Sequence, residues 1–119
     1  MKEKVLVYLK INSNDEKEMN YEEKRAIEYC FDNDMEIAKV IKDYEDENTL
    51  EDICSYISDK SNGIYNLVTN RFDMISKDIT KVYDYYKYLK DYCYCNLITL
   101  THGNQFHFDI KLEKGAINE

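Results

Sequence analysis

Several groups of side chains in this sequence are of the types that chemistry needs. Cys93 and Cys95 form a C-x-C pair, two soft donors at a spacing that can ligate a metal. A tetrahedral zinc site needs four donors, and no second cysteine pair or nearby histidine pair supplies the rest. All four cysteines (Cys30, Cys54, Cys93 and Cys95) therefore read as small apolar side chains inside helices or strands, and no metal or cofactor is expected. The acidic run Asp43-Tyr44-Glu45-Asp46-Glu47 could close on a cation together with Asp73 or Asp15. It lacks the glycine-containing pattern of a calcium loop and reads as solvated loop charge. His102 and His107 could act as bases, but no nucleophile is paired with either in sequence, and they read as surface histidines. Tyr85, Tyr88 and Tyr92 form one flank of a helical stripe. Such rings either cover the margin of a core with their hydroxyls in water or form a protein–protein interface, where aromatic residues are enriched.

Composition limits what these groups can serve. A chain of 119 residues is expected to build one hydrophobic core but not two, and residues 1–119 are read as a single domain. No apolar run approaches the roughly 20 residues of a membrane span, and the N-terminus turns polar too quickly for a signal peptide. The expected location is the cytoplasm, where thiols stay reduced. The formal net charge is −8 and no basic run exists, so the field of the whole molecule opposes a phosphate backbone. DNA binding by this chain alone is not expected. Arginines are confined to Arg25 and Arg71, while Lys, Asn, Ile and Tyr are plentiful. That bias suggests a genome poor in G and C, in which some arginines have drifted to lysine.

The elements that must position these groups follow from periodicity. Residues 4–10 read as an apolar strand, followed by the turn-rich Asn12-Ser13-Asn14-Asp15. Met19 to Asn33 is helical, with Ala26, Ile27, Cys30 and Phe31 as its buried face. Glu36 to Lys42 is a second strand. Leu50, Ile53, Cys54 and Ile57 give the i, i+3, i+4, i+7 stripe of a second helix, capped by Asn48 and stopped by Asn62-Gly63. Ile64 to Thr69 is a third strand. Lys77 to Asp91 is a third helix, with a stripe of Ile79, Val82, Tyr86, Leu89 and Cys93. Tyr94 to Thr101 is a fourth strand, and Gly103-Asn104 suits a tight hairpin. Phe106, Phe108, Ile110 and Leu112 then alternate with polar residues, which marks a half-exposed antiparallel edge strand. The expected fold class is α/β: four mainly parallel strands plus an antiparallel edge strand, in three layers with helices on both faces. Any site should lie beyond the carboxyl ends of the strands. A phospho-accepting receiver domain fits poorly, because it would want paired acids after the first strand and an aspartate ending the third.

The loops at those carboxyl ends carry a family resemblance. Val5-Leu6-Val7-Tyr8-Leu9-Lys10-Ile11-Asn12-Ser13 resembles the first strand of serine recombinases (resolvases, invertases and large integrases), which reads Tyr-x-Arg-Val-Ser and ends in the nucleophile. Leu67-Val68-Thr69-Asn70-Arg71-Phe72-Asp73-Met74-Ile75-Ser76-Lys77-Asp78 resembles the third strand and the Leu-Asp-Arg-Leu-Ser-Arg motif that follows it. Glu23-Lys24-Arg25-Ala26-Ile27 stands where the family often has Gln-x-x-Ala-Ile. The order of elements agrees from about residue 4 to residue 103. The resemblance implies a resolvase-like catalytic domain.

Matched position by position, the departures fall on the chemistry. Lys10 stands for an active-site arginine and Asn12 for the nucleophilic serine, while Met74 and Lys77 stand for two further arginines. Glu47, Asn48 or Thr49 stand where another arginine would open the second helix. Tyr8, Asp73 and Ser76 match. An amide such as Asn12 cannot form a phosphoserine link. Each lost donor typically costs about 3–4 kcal/mol of transition-state stabilisation. Drift to lysine accounts for Lys10 and Lys77, with loss of the bidentate fork, but not for Met74 or Asn12. Family members also continue into a long dimerising helix and a DNA-binding domain, for which little sequence remains here. The expectation is a pseudo-enzyme from a mobile-element setting, acting as an interaction or regulatory module toward an unknown protein partner or itself. The competing expectation is an enzyme of altered phosphoryl-transfer chemistry centred on Ser13 with Lys10 and Asp73.

Overall fold

A computed structural model describes residues 2–100 and 103–104. Strand β1 (Glu3–Lys10) is followed by helix α1 (Glu16–Asp32), β2 (Met35–Asp43) and α2 (Leu50–Ser58). A short 3-10 turn at 60–62 leads into β3 (Asn66–Thr69), and a second at 72–74 leads toward α3 (Ile79–Tyr92). The chain then forms β4 (Asn96–Thr99) and β5 (Gly103–Asn104). The sheet order is β2-β1-β3-β4-β5. The first four strands are parallel and β5 pairs antiparallel with β4.

β1 sits inside the sheet, and its sequence shows why. Val5 through Leu9 are all buried, the continuous apolar run of a strand covered on both faces. Val5, Val7 and Leu9 point to a core with Met19, Ala26 and Cys30 of α1. Leu6 and Tyr8 point to a second core, with Ile53, Cys54 and Ile57 of α2 and Val82, Tyr86 and Leu89 of α3. The sheet thus carries two cores, one on each face, and not the single core expected from chain length. The chain steps from β1 outward to β2 with α1 on one face. It then reverses direction through β3 to β4 with α2 and α3 on the other, the change of face that uniform crossover handedness requires. The reversal point lies between β1 and β3, whose carboxyl ends flank the crevice where open α/β sheets place their sites.

Local signals set the helix ends. The Asp15 carboxylate accepts the Lys17 N–H at 2.9 Å and starts α1, and the Asp78 carboxylate accepts the Thr80 N–H at 3.0 Å and starts α3. The N-cap of α2 is Thr49 rather than the expected Asn48, which lies one residue earlier and accepts the Leu50 N–H at 3.2 Å. Gly63, at φ 72, takes the left-handed conformation that ends the turn after α2.

Several sequence expectations are corrected. Ile27 and Phe31 do not belong to the buried face of α1; they are 43% and 79% exposed, and the buried stripe is Met19, Glu22, Ala26 and Cys30. With a glutamate on that stripe, the buried face lies about a sixth of a turn from the apolar one. Ile79 opens α3 at the surface. Cys93 and Cys95 lie in the buried turn between α3 and β4 rather than inside either element. Gly103 and Asn104 are not the hairpin turn but its first strand residues, opposite Thr99 and Ile98. The alternating run from Phe106 to Leu112, His102 and His107 lie outside the described residues.

Candidate functional site

The crevice is built from the end of β1, the loop after β2 and the 71–77 segment after β3. Position 12 lies exposed at the tip of β1, one residue beyond Ile11, which is buried. The Ser13 hydroxyl accepts the Asp15 N–H at 3.3 Å, so it takes part in the turn that leads into α1. The Lys10 amine donates to the Glu47 backbone carbonyl at 2.6 Å, tying the tip of β1 to the loop after β2.

Tyr8 reaches the same loop from below. Its hydroxyl donates to Asp43 Oδ2 at 2.6 Å, and Asp43 also accepts from the Thr49 backbone N–H at 3.0 Å. Burial, reinforced by the Asp43 carboxylate, pushes the Tyr8 phenol far above its ordinary range, so it stays a neutral donor. Asp43 is thus a buried structural acid that joins β1, β2 and the start of α2, not solvated loop charge. The rest of that run, Glu45, Asp46 and Glu47, is exposed as expected.

On the β3 side, Met74 is 1% exposed and packs in the α1-side core with Leu9, Ile11 and Val68. Thr69 Oγ1 lies 3.5 Å from its sulfur. Met74 therefore points away from the crevice. Asp73 is exposed and accepts from Arg71 Nε at 3.0 Å, and Lys77 is exposed on the same segment. Tyr8, Lys10, Asn12, Ser13, Asp73 and Lys77 share one end of the sheet, but the hydrogen bonds of Lys10, Ser13 and Asp73 run to backbone or to Arg71.

A polar cluster that the sequence reading did not single out adjoins them. Glu22, 5% exposed on the inner stripe of α1, accepts from Asn70 Nδ2 at 2.9 Å, from Arg25 at 3.4 Å and, through a short contact, from Arg71. Burial alone would raise the Glu22 carboxyl, but hydrogen bonds from Arg71 and Asn70 and the charges of both arginines outweigh it and hold it below the usual range. Both arginines of the chain converge on this carboxylate. The signal in the sequence was a glutamate at i, i+3, i+7 and i+11 with Met19, Ala26 and Cys30.

Away from the crevice, Tyr85 is not a free surface ring. Its hydroxyl donates to the Leu50 carbonyl at 3.2 Å and lies 3.3 Å from Cys54 Sγ, which knits α3 to α2. Tyr88 and Tyr92 are 46% and 72% exposed, with ring centroids 5.2 Å apart. Cys30, Cys54, Cys93 and Cys95 are free thiols; burial pushes Cys30 up to about 11 and Cys95 up to about 12, which leaves them protonated and poor nucleophiles. Among the described residues no group of three or more His, Cys, Asp or Glu is placed to hold a metal ion, and no helix is long and apolar enough to cross a membrane.

The strand order, the antiparallel fifth strand and one helix opposed to two define a resolvase-like α/β domain. Two solved structures share it over nearly the whole chain. The N-terminal catalytic domain of TP901-1 integrase superposes with a TM-score of 0.74 at 13% identity, covering 97% of this chain and 93% of that one. A resolvase family site-specific recombinase from Streptococcus pneumoniae superposes with a TM-score of 0.75 at 16% identity, covering 98% and 91%. At these identities the likeness is one of fold. No family model matches the chain, and no curated protein matches it either.

Proposed function

We propose that this chain is a resolvase-like domain without phosphoryl-transfer activity that serves as a protein-interaction or regulatory module, in a mobile-element setting. The observation that carries this reading is the placement of Met74: where the resemblance calls for a guanidinium aimed at a phosphoryl group, a thioether is packed into the core with Leu9 and Ile11. Catalysis of phosphodiester attack depends on preorganised donors aimed at the developing charge. Here the Lys10 amine is engaged by the Glu47 carbonyl, and the Arg71 guanidinium by Glu22 and Asp73. The rim of the crevice carries exposed Asp15, Glu16, Glu45, Asp46 and Glu47, a field that repels a phosphate. Tyr88 and Tyr92, exposed on α3 with their rings in contact at a tilt, are side chains suited to a partner protein.

The test is a covalent-trapping assay. The protein is incubated with supercoiled and linear DNA, quenched in denaturant and run on a denaturing gel. The expected result is no protein–DNA adduct and no change in topology. An adduct that disappears in Ser13→Ala would overturn the proposal in favour of reworked chemistry at Ser13.

A further inference from the structure

The outer edge of β2 is open: among the described residues no strand pairs with it, and the strand is nine residues long. Edges of this length are usually blunted by proline, by charges that repel a second strand, or by a bulge, and of these β2 carries charges and a bulge at Ala38. The chain contains no proline. Its β2 lysines are drawn onto the sheet faces, Lys42 to Glu23 of α1 at 2.9 Å and Lys39 to within 5.6 Å of the Tyr56 ring centroid.

Apolar groups overhang this edge on both sides. The Glu23–Lys42 pair identifies the flank of α1 that faces β2, and the same stripe continues at i+4 and i+8 to the exposed Ile27 and Phe31. On the opposite face, Ile41, Ile53 and Tyr56 line a groove that runs along β2 beside α2. The register with β1 jumps from Ile37 to Lys39, so Ala38 is a bulge and side-chain parity reverses there. Met35, Ile37 and Val40 consequently join the α1-side core, and Ile41 the α2-side core. Alternation places Glu36 and Lys39 on the α2 side as well.

We propose that two copies of this chain pair antiparallel through their β2 edges and so form one continuous sheet. The second copy is the occupant because the strand is complementary to itself. With a two-fold axis between residues 38 and 39, Ile37 faces Val40 of the other copy beneath the α1 overhang. On the α2 side Glu36 faces Ile41, with Lys39 of the other copy at the diagonal position, and symmetry makes this charge pair twice. An axis normal to the sheet keeps both α1 helices on one face, where Ile27 and Phe31 meet across it. This assembly depends neither on the tyrosines of α3 nor on the loss of chemistry in the crevice.

Sedimentation velocity of the full chain, from micromolar to millimolar, tests it. The expected result is a monomer–dimer equilibrium that tightens with added NaCl, because each copy carries a formal charge of −8 and salt screens the repulsion. Phe31→Lys and Ile27→Lys, at exposed positions whose folding is checked by circular dichroism, should each weaken the dimer about tenfold. Glu36→Lys and Lys39→Glu should each weaken it about fivefold alone, and mixing the two variant proteins should restore association as a heterodimer. Tyr88→Ala with Tyr92→Ala should leave the dimer unchanged. A chain that stays monomeric throughout overturns the assembly. So does a dimer indifferent to the β2 and α1 changes but lost in the tyrosine variant, a result that would keep the interaction reading and move the interface to α3.

Discussion

Met74 and Glu22 show how single residues at the crevice are committed to structure. Met74 is fully enclosed by the α1-side core, so Met74→Arg cannot simply restore a guanidinium to the site. It would force a charge among Leu9, Ile11 and Val68, and the expected loss is about 3 kcal/mol or more in urea unfolding, with no phosphodiesterase activity gained. Glu22 makes a prediction in pH. Its carboxyl is held below the usual glutamate range by Arg71, Asn70 and Arg25, so the folded state binds its proton less readily than the unfolded chain does. The stability it contributes is present above the unfolded glutamate range and is lost as the pH falls through the lower, folded value. Glu22→Gln should therefore be less stable than the parent at neutral pH and should converge with it toward strongly acidic pH. Thermal melts across that range check both halves, and a parent curve parallel to that of the variant would show that the pairing contributes nothing.

At the scale of elements, most of the fold was legible because apolar periodicity and turn chemistry agreed. The stripe Leu50, Ile53, Cys54 and Ile57 gave α2 its inner face; Ile53, Cys54 and Ile57 are buried and Leu50 half-buried. Val5 to Leu9 marked a strand covered on both sides. Periodicity failed on α1 because it scores apolar residues alone: Ile27 and Phe31 fit a face, yet Glu22, with two arginines and an asparagine to satisfy it, turned that face elsewhere. The same blindness hid the Glu22 cluster and the burial of Asp43, since which acid is enclosed depends on partners distant in sequence. The expected site residues did reach one end of the sheet, because strand order alone places the ends of β1 and β3 side by side. Their bonds are long-range choices that a linear pattern does not encode. The turn between α3 and β4 carries a further consequence. Tyr94, between the buried Cys93 and Cys95, sits at φ 50, in the left-handed region that favours glycine. Its side chain is 71% exposed, so little packing opposes the change. Tyr94→Gly should relieve the strain and raise stability by about 0.5 kcal/mol, net of the added freedom of the unfolded chain. A loss in denaturant unfolding would mean that the ring contributes more than the backbone strain costs.

For the whole molecule the decisive quantity is where charge sits relative to the crevice. The carboxyl end of a parallel sheet, with helix N-termini facing it, is by default favourable to anions. In this chain that bias is answered by acids placed at the same end: Asp15 and Glu16 enter α1, Glu45 to Glu47 follow β2, and Glu51 and Asp52 open α2. Of the cations at this end, Lys10 donates to the Glu47 backbone carbonyl, Arg71 pairs with Glu22 and Asp73, and Lys77 is exposed. A protein that binds DNA without sequence preference does so by releasing counterions from phosphates, with an affinity that falls steeply with salt. At this end of the sheet the acids outnumber the cations that could displace those counterions, and the formal net charge of −8 adds long-range repulsion. Fluorescence anisotropy with a labelled duplex should therefore show no binding at physiological salt. Lowering the salt, which strengthens ordinary non-specific DNA binding, should not bring binding on, because it lengthens the reach of the repulsion as well. Binding that appears as salt is lowered, and vanishes in Lys77→Glu, would locate a basic contact on the segment after β3 and restore the crevice as a nucleic-acid surface.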